Sequence, residues 1–139
     1  MPDVLSDAQR AFLTTHHDAV MTTVDAEGHP HTVPVLVGLV GDELWSSGTE
    51  GRIRTAHVEV PGAWASFTIL SRGFWGPWLT VAGPVRVVRD DRVADNLRLY
   101  RIVTGGDPDD MVEYVAAMKK DRRLIFALAP TRVYPSMTG

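Results

Sequence analysis

The nine residues Ser46-Ser47-Gly48-Thr49-Glu50-Gly51-Arg52-Ile53-Arg54 concentrate the side chains best suited to chemistry in this sequence. Three hydroxyls, two glycines and two arginines stand there between a strand pattern and a helix pattern. Backbone N–H groups at such a junction are free to point at an anion. A guanidinium adds a planar fork of donors that matches phosphate or carboxylate. In an ideal helix, residues two apart point to nearly opposite sides, so Arg52 and Arg54 reach one anion only through an irregular turn or bent side chains. Taken alone, the segment is either an anion-binding turn or a polar surface loop.

Other reactive arrangements are missing. The histidines His16, His17, His29, His31 and His57 form no H-E-x-x-H pair. His29 and His31 fall on one face if a strand carries both, but two imidazoles without a third ligand make a poor metal site, and no metal is expected. No G-x-S-x-G elbow supports serine hydrolysis. The absence of cysteine removes thiolate nucleophiles, thiolate metal sites and disulfides together. Carboxylates gather at turns and helix starts, where capping and solubility explain them, and no residue is assigned a catalytic role. Phe74, Trp75 and Trp78 crowd around Gly76-Pro77. They present a flat wall either to a ring system or to a partner subunit.

The elements that must position these residues are mostly strands. Ser6-Asp7-Ala8-Gln9 has capping-box form and predicts a short helix to about His16. Ala19 to Val24, His31 to Val40 and Glu43 to Ser47 read as three strands joined by the turns Asp25–Gly28 and Gly41-Asp42. Arg52 to Val60 predicts a short helix stopped by Pro61-Gly62. Ala63 to Leu70 and Pro77 to Arg89 are further strands. Asp90 and Asp91 open a helix with Val93, Leu97 and Tyr100 at helical spacing, which Gly105-Gly106 ends. Asp107-Pro108-Asp109-Asp110 starts another, with Lys119 and Lys120 at its negative end. Arg122 to Val133 is the last strand. This is mainly β structure (α+β): a closed or nearly closed antiparallel barrel with a few peripheral helices.

Composition narrows the class. A chain of 139 residues with net charge -3 predicts a single domain over 1–139. No apolar run is long enough for a membrane span, and the N-terminus lacks signal-peptide layout; with no cysteine, a cytoplasmic location is expected. A mildly acidic chain argues against nucleic acid or an anionic membrane as partner. Yet its 14 basic residues include only two lysines.

In their order, these pieces resemble the split β-barrel flavin and deazaflavin oxidoreductases, the pyridoxamine 5'-phosphate oxidase superfamily, and most closely the branch that uses coenzyme F420. The resemblance rests on Val20 to Gly28 with Pro30 and Val33-Pro34-Val35 as the opening hairpin. Thr49-x-x-Arg52-x-Arg54 is similar to the family's Thr-x-x-Arg-x-Lys phosphate segment, Leu79 to Val85 to its central strand, and Arg122 to Val133 to its closing strand. It implies a six-stranded antiparallel split β-barrel, a homodimer, and a cofactor groove between subunits. Arg52 and Arg54 then hold the cofactor phosphate, Ser47 and Thr49 donate hydroxyl hydrogen bonds, and Pro34 and Trp78 complete the cofactor-binding set. The implied activity is hydride transfer between reduced F420 and a small conjugated organic acceptor. An FMN-dependent oxidoreductase and a non-catalytic carrier of F420 or another planar ligand are the alternatives. His31 is a further lining candidate. Arg72 or Lys119-Lys120 would meet the longer anionic tail of F420. Two positions depart from the pattern: Arg54 replaces a lysine, keeping charge but changing geometry, and His57-Val58 stand in place of Asn-Leu.

Overall fold

The computed structural model describes residues 4–71, 75–90 and 93–135. Eight strands form one antiparallel sheet: β1 (Asp18–Val24), β2 (Pro30–Leu36), β3 (Gly38–Val40), β4 (Glu43–Thr49), β5 (Trp64–Leu70), β6 (Trp78–Arg89), β7 (Arg123–Leu128) and β8 (Arg132–Tyr134). Their order is β2-β1-β5-β6-β7-β4-β3, with β8 paired to β6. Helix α1 (Asp7–Thr15) packs on β3, α2 (Ile53–Val58) on β1 and β6, α3 (Ala94–Thr104) on β3, β4 and β7, and α4 (Met111–Lys120) on β7. The sheet is a split barrel and is not closed. Across the seam between its ends Ser46 Oγ donates to Leu36 O at 2.8 Å.

The count of eight corrects the expected six, because two long strand patterns are each broken once. His31–Val40 breaks at Val37, whose N–H donates to His17 O and whose carbonyl lies 2.9 Å from His17 Nδ1. Arg122–Val133 breaks at 129–131. There Ala129 and Thr131 donate their N–H groups to Pro84 and Ala82, and the chain steps from one half of β6 to the other. Gly83 makes this step possible, since a Cβ on it would overlap the Ala129 carbonyl oxygen.

Period-two burial aims the core inward. β1 and β5 alternate exposed and buried positions. Met21, Phe67, Ile69, Leu79, Val81, Leu124, Phe126 and Leu128 fill the barrel. β7 is buried on both faces, because Ile125 and Ala127 pack outward with Trp45 and Leu99 beneath α3. Helix α1 starts at the expected capping box: Ser6 Oγ accepts from Gln9 N–H, and Gln9 Oε1 accepts from Ser6 N–H. Leu13 of α1 is fully buried in the same core. Helix α4 begins after Asp110 rather than at Asp107-Pro108, and the Asp110 side chain accepts from Glu113 N–H.

One face stays open. The alternation that buries Ala19, Ile69 and Leu79 turns Val24, Leu36, Trp64, Trp78 and Tyr134 outward, each 41–53% exposed. Hydroxyl pairs cross the strands among them, Thr22 to Thr32 at 3.2 Å and Thr68 to Thr80 at 2.9 Å.

Replacing Gly83 by alanine forces the Ala129 backbone off β6, and should destabilise the fold by about 1–3 kcal/mol. Urea unfolding measures this; an unchanged midpoint would contradict the step at 129–131.

Candidate functional site

Two clefts meet at Arg54 and Arg123 on one side of the seam. The first, about 540 Å³, runs between β2 and the α3–α4 pair; Pro34, Leu36, Leu99, Val103 and Met118 wall it, with Ser47, Asn96, Tyr100 and Tyr114 as its polar groups. The second, about 600 Å³, is lined by His31, Val33, Thr49, Gly51, Arg52, Arg54 and Arg123. Together they form a trough with an apolar end and a cationic end. A third cleft of about 510 Å³ adjoins at Arg123 and carries Lys119, Arg122, Glu50, Arg89 and Asp90.

Strand register sets the floor. Ser47 lies opposite Ile125 and Thr49 opposite Arg123, so these side chains share the outward face while Gly48, Leu124 and Phe126 turn inward. Gly48 is required because a side chain there would strike the Phe126 ring. After β4 the chain reverses at Gly51, whose φ is +77°. Thr55 Oγ1 closes the turn by donating to Thr49 O at 2.8 Å.

The turn also answers how Arg52 and Arg54 reach one place. Arg52 has extended backbone at the N-cap of α2, with φ -83° and ψ 153°, so helical spacing does not separate the two side chains. Arg52 Nε donates to Thr49 Oγ1 at 3.2 Å. Arg54 Nη2 donates to Ser47 O at 3.4 Å, and its guanidinium carbon lies 5.5 Å from the centre of the Phe126 ring. Such cation–π contact favours holding the group partly out of water.

Most of the cationic groups here lack a carboxylate partner. Elsewhere Arg10 pairs with Asp42, Arg86 with Glu43, Arg89 with Glu50 and Glu59, and Arg101 with Asp107. Among the described residues Arg52, Arg54, Lys119 and Arg122 have no such carboxylate. Arg123 reaches only Asp121, at 3.8 Å. Arg54 Nε and Arg123 Nε are both buried without a hydrogen bond. Burial, then the neighbouring Arg52 and Arg123, push the Arg54 guanidinium pKa down. At the other end burial, then Asp90 and Tyr100, push the Tyr114 phenol up, partly offset by Arg123. An anion at the cationic end would face the guanidinium groups of Arg52 and Arg54, which no carboxylate among the described residues neutralises.

Of the residues expected from sequence, the trough gathers Pro34, Ser47, Thr49, Arg52, Arg54 and His31. Trp78 is not among them. It stands on the open sheet face, edge-on to Tyr134 at 6.2 Å. Arg72 and Phe74 lie outside the described residues, and Trp75 is 91% exposed. His29 does not share a strand face with His31, because β2 starts at Pro30. His29 sits in the turn, 3.4 Å from Asp25 Oδ2, while the His31 ring packs edge-on against His57. Among the described residues no group of three or more His, Asp or Glu is arranged to hold a metal ion, and no helix is long and apolar enough to cross a membrane. Sequence reading misses Arg123, Asn96 and Tyr114. Only the adjacency of Arg122-Arg123 to a strand start hints at the first.

These features define an antiparallel split-barrel protein with a cationic trough beside its seam. The chain matches the pyridoxamine 5'-phosphate oxidase family over residues 5–136 and belongs to that family. Among solved structures it is similar to an F420 reductase, at 20% identity and TM-score 0.68 over 96% of this chain and 98% of that one. A conserved hypothetical protein from Mycobacterium tuberculosis is similar at 16% identity and TM-score 0.73, over 100% and 95% of the two chains. The FAD and heme binding protein from Mycobacterium smegmatis is similar at 23% identity and TM-score 0.64, over 90% of this chain and 66% of that one. No curated protein sequence matches the chain.

Inorganic phosphate should raise the unfolding temperature of the protein, by an increment that sodium chloride erodes. Arg54→Ala should lose most of that increment. Equal increments in both proteins, read by differential scanning fluorimetry, would place the anion elsewhere.

Proposed function

We propose that this chain binds a phosphorylated flavin-type cofactor in the trough, coenzyme F420 in the first place, and transfers a hydride between it and a small conjugated organic acceptor. The observation that carries this reading is the pair of guanidinium groups at Arg52 and Arg54 without a carboxylate partner among the described residues, joined by Arg123 and set beside a largely apolar cleft of about 540 Å³. Family membership supplies the flavin-type class, and the likeness to an F420 reductase supports the deazaflavin form.

In this reading Arg52, Arg54 and Thr49 hold the phosphate, and Pro34, Leu36, Leu99 and Val103 press on the ring. The cofactor, when bound, supplies a carbon able to give or take hydride. The protein's work is to bind, to orient the ring toward the acceptor and to exclude water; no protein nucleophile is needed. The unpaired Lys119 and Arg122 in the adjoining cleft suit the anionic tail that distinguishes F420 from FMN.

We place a second copy of the chain on the open sheet face. Val24, Leu36, Trp64, Trp78 and Tyr134 are exposed apolar or aromatic side chains on that face, and burial against a second copy would remove them from water. Leu36 belongs both to this face and to the trough, so the site borders the interface and Trp78 faces the partner.

Fluorescence quenching should show F420 binding more tightly than FMN, and reduced F420 should turn over on a panel of enones and quinones. FMN binding without F420 binding would replace the cofactor assignment; binding without turnover would make the protein a carrier. Sedimentation should give a dimer, and Trp64→Glu should yield monomers that bind the cofactor at least tenfold more weakly. A monomeric wild-type protein would contradict the interface site.

A further inference from the structure

A polar chain runs from the start of α3 into the trough. The Asp90 carboxylate accepts from the backbone N–H groups of Asp95, at 3.0 Å, and Asn96, at 2.7 Å. It also accepts from Asn96 Nδ2, at 2.8 Å. A carboxylate offers lone pairs, so the Asn96 amide is oriented with Nδ2 toward Asp90 and Oδ1 away from it. Asn96 is buried, 3% exposed, and its Oδ1 meets Ser47 Oγ at 2.5 Å. An amide oxygen only accepts. The contact therefore uses the single proton of the Ser47 hydroxyl, and what remains on Ser47 Oγ are lone pairs.

Position gives this polarity a meaning. Ser47 is half-buried and lines the trough beside Arg54, whose Nη2 donates to the Ser47 carbonyl. It stands between the apolar wall and the Arg52–Thr49 end.

We infer that Ser47 Oγ is a hydrogen-bond acceptor for the ligand, and that it selects a hydroxyl on the linker between the anionic group and the ring. The inference rests on the trough being the seat of a phosphorylated planar cofactor, and it reverses the donor role that the family resemblance implies for Ser47. A phosphate oxygen carries lone pairs and gains nothing opposite another acceptor. The anion therefore sits toward Arg52 and Thr49, and a hydroxyl-bearing linker passes Ser47. Asn96 and Asp90 are positioning residues that act through Ser47 by holding its proton on the far side.

The test uses FMN, F420 and a counterpart of each whose linker hydroxyls are replaced by fluorine, which accepts weakly but cannot donate. Wild-type protein should bind each fluorinated counterpart about tenfold more weakly than its parent, since one hydrogen bond is lost and one buried acceptor is left unpaired. Ser47→Ala should erase the difference, and Ser47→Thr should keep it. Asn96→Leu frees the Ser47 proton and should narrow the difference, with correct folding confirmed by circular dichroism. An equal preference in wild type and Ser47→Ala, or no preference in wild type, would overturn the inference while leaving the cofactor reading intact. Failure of wild type to bind either FMN or F420 would overturn the cofactor reading and this inference with it.

Discussion

Register between β4 and β7 decides which chemistry reaches the trough. With Thr49 opposite Arg123 and Ser47 opposite Ile125, hydroxyls and a guanidinium face outward, while Gly48, Leu124 and Phe126 complete the barrel interior. Strand side chains alternate with period two, so a slip of β4 by one residue would turn Ser47 and Thr49 toward the barrel interior. Gly48 protects the register, because only a residue without Cβ fits beneath the Phe126 ring. The same ring then supports Arg54 from below. One packing contact thus ties barrel core, strand pairing and the cationic end of the site together.

The second constraint is electrostatic. In a chain with net charge -3, carboxylates pair with Arg10, Arg86, Arg89 and Arg101, while among the described residues Arg52 and Arg54 have none and Arg123 reaches Asp121 only at 3.8 Å. Holding Arg52, Arg54 and Arg123 together costs free energy, through mutual repulsion and two buried Nε–H groups without acceptors. A bound anion would offset the mutual repulsion.

Much of this was legible in the sequence because its causes are local. The Ser6–Gln9 capping box, the turn at Gly51 and the apolar alternation of Ala19–Val24 each follow from neighbouring residues. Arg52 and Arg54 stood out for the same reason. The strand breaks at Val37 and at 129–131 were not legible, since they depend on His17 and Gly83, distant in sequence. Arg123 reaches the site only through pairing with Thr49, and Asn96 only through its contact with Ser47. The position of Trp78 outside the two clefts of the single chain was not legible either: nothing local reveals which face of β6 its side chain takes.

The central claim is that the cationic end receives the phosphate of a flavin-type cofactor whose ring lies against the apolar wall. A crystal structure of the protein grown with F420 tests it most directly. The account predicts the phosphorus atom between Arg52 and Arg54, with phosphate oxygens within hydrogen-bonding distance of both guanidinium groups, and the ring against Leu99 and Val103. A phosphate bound away from these arginines, or a ring seated outside the trough, would contradict it.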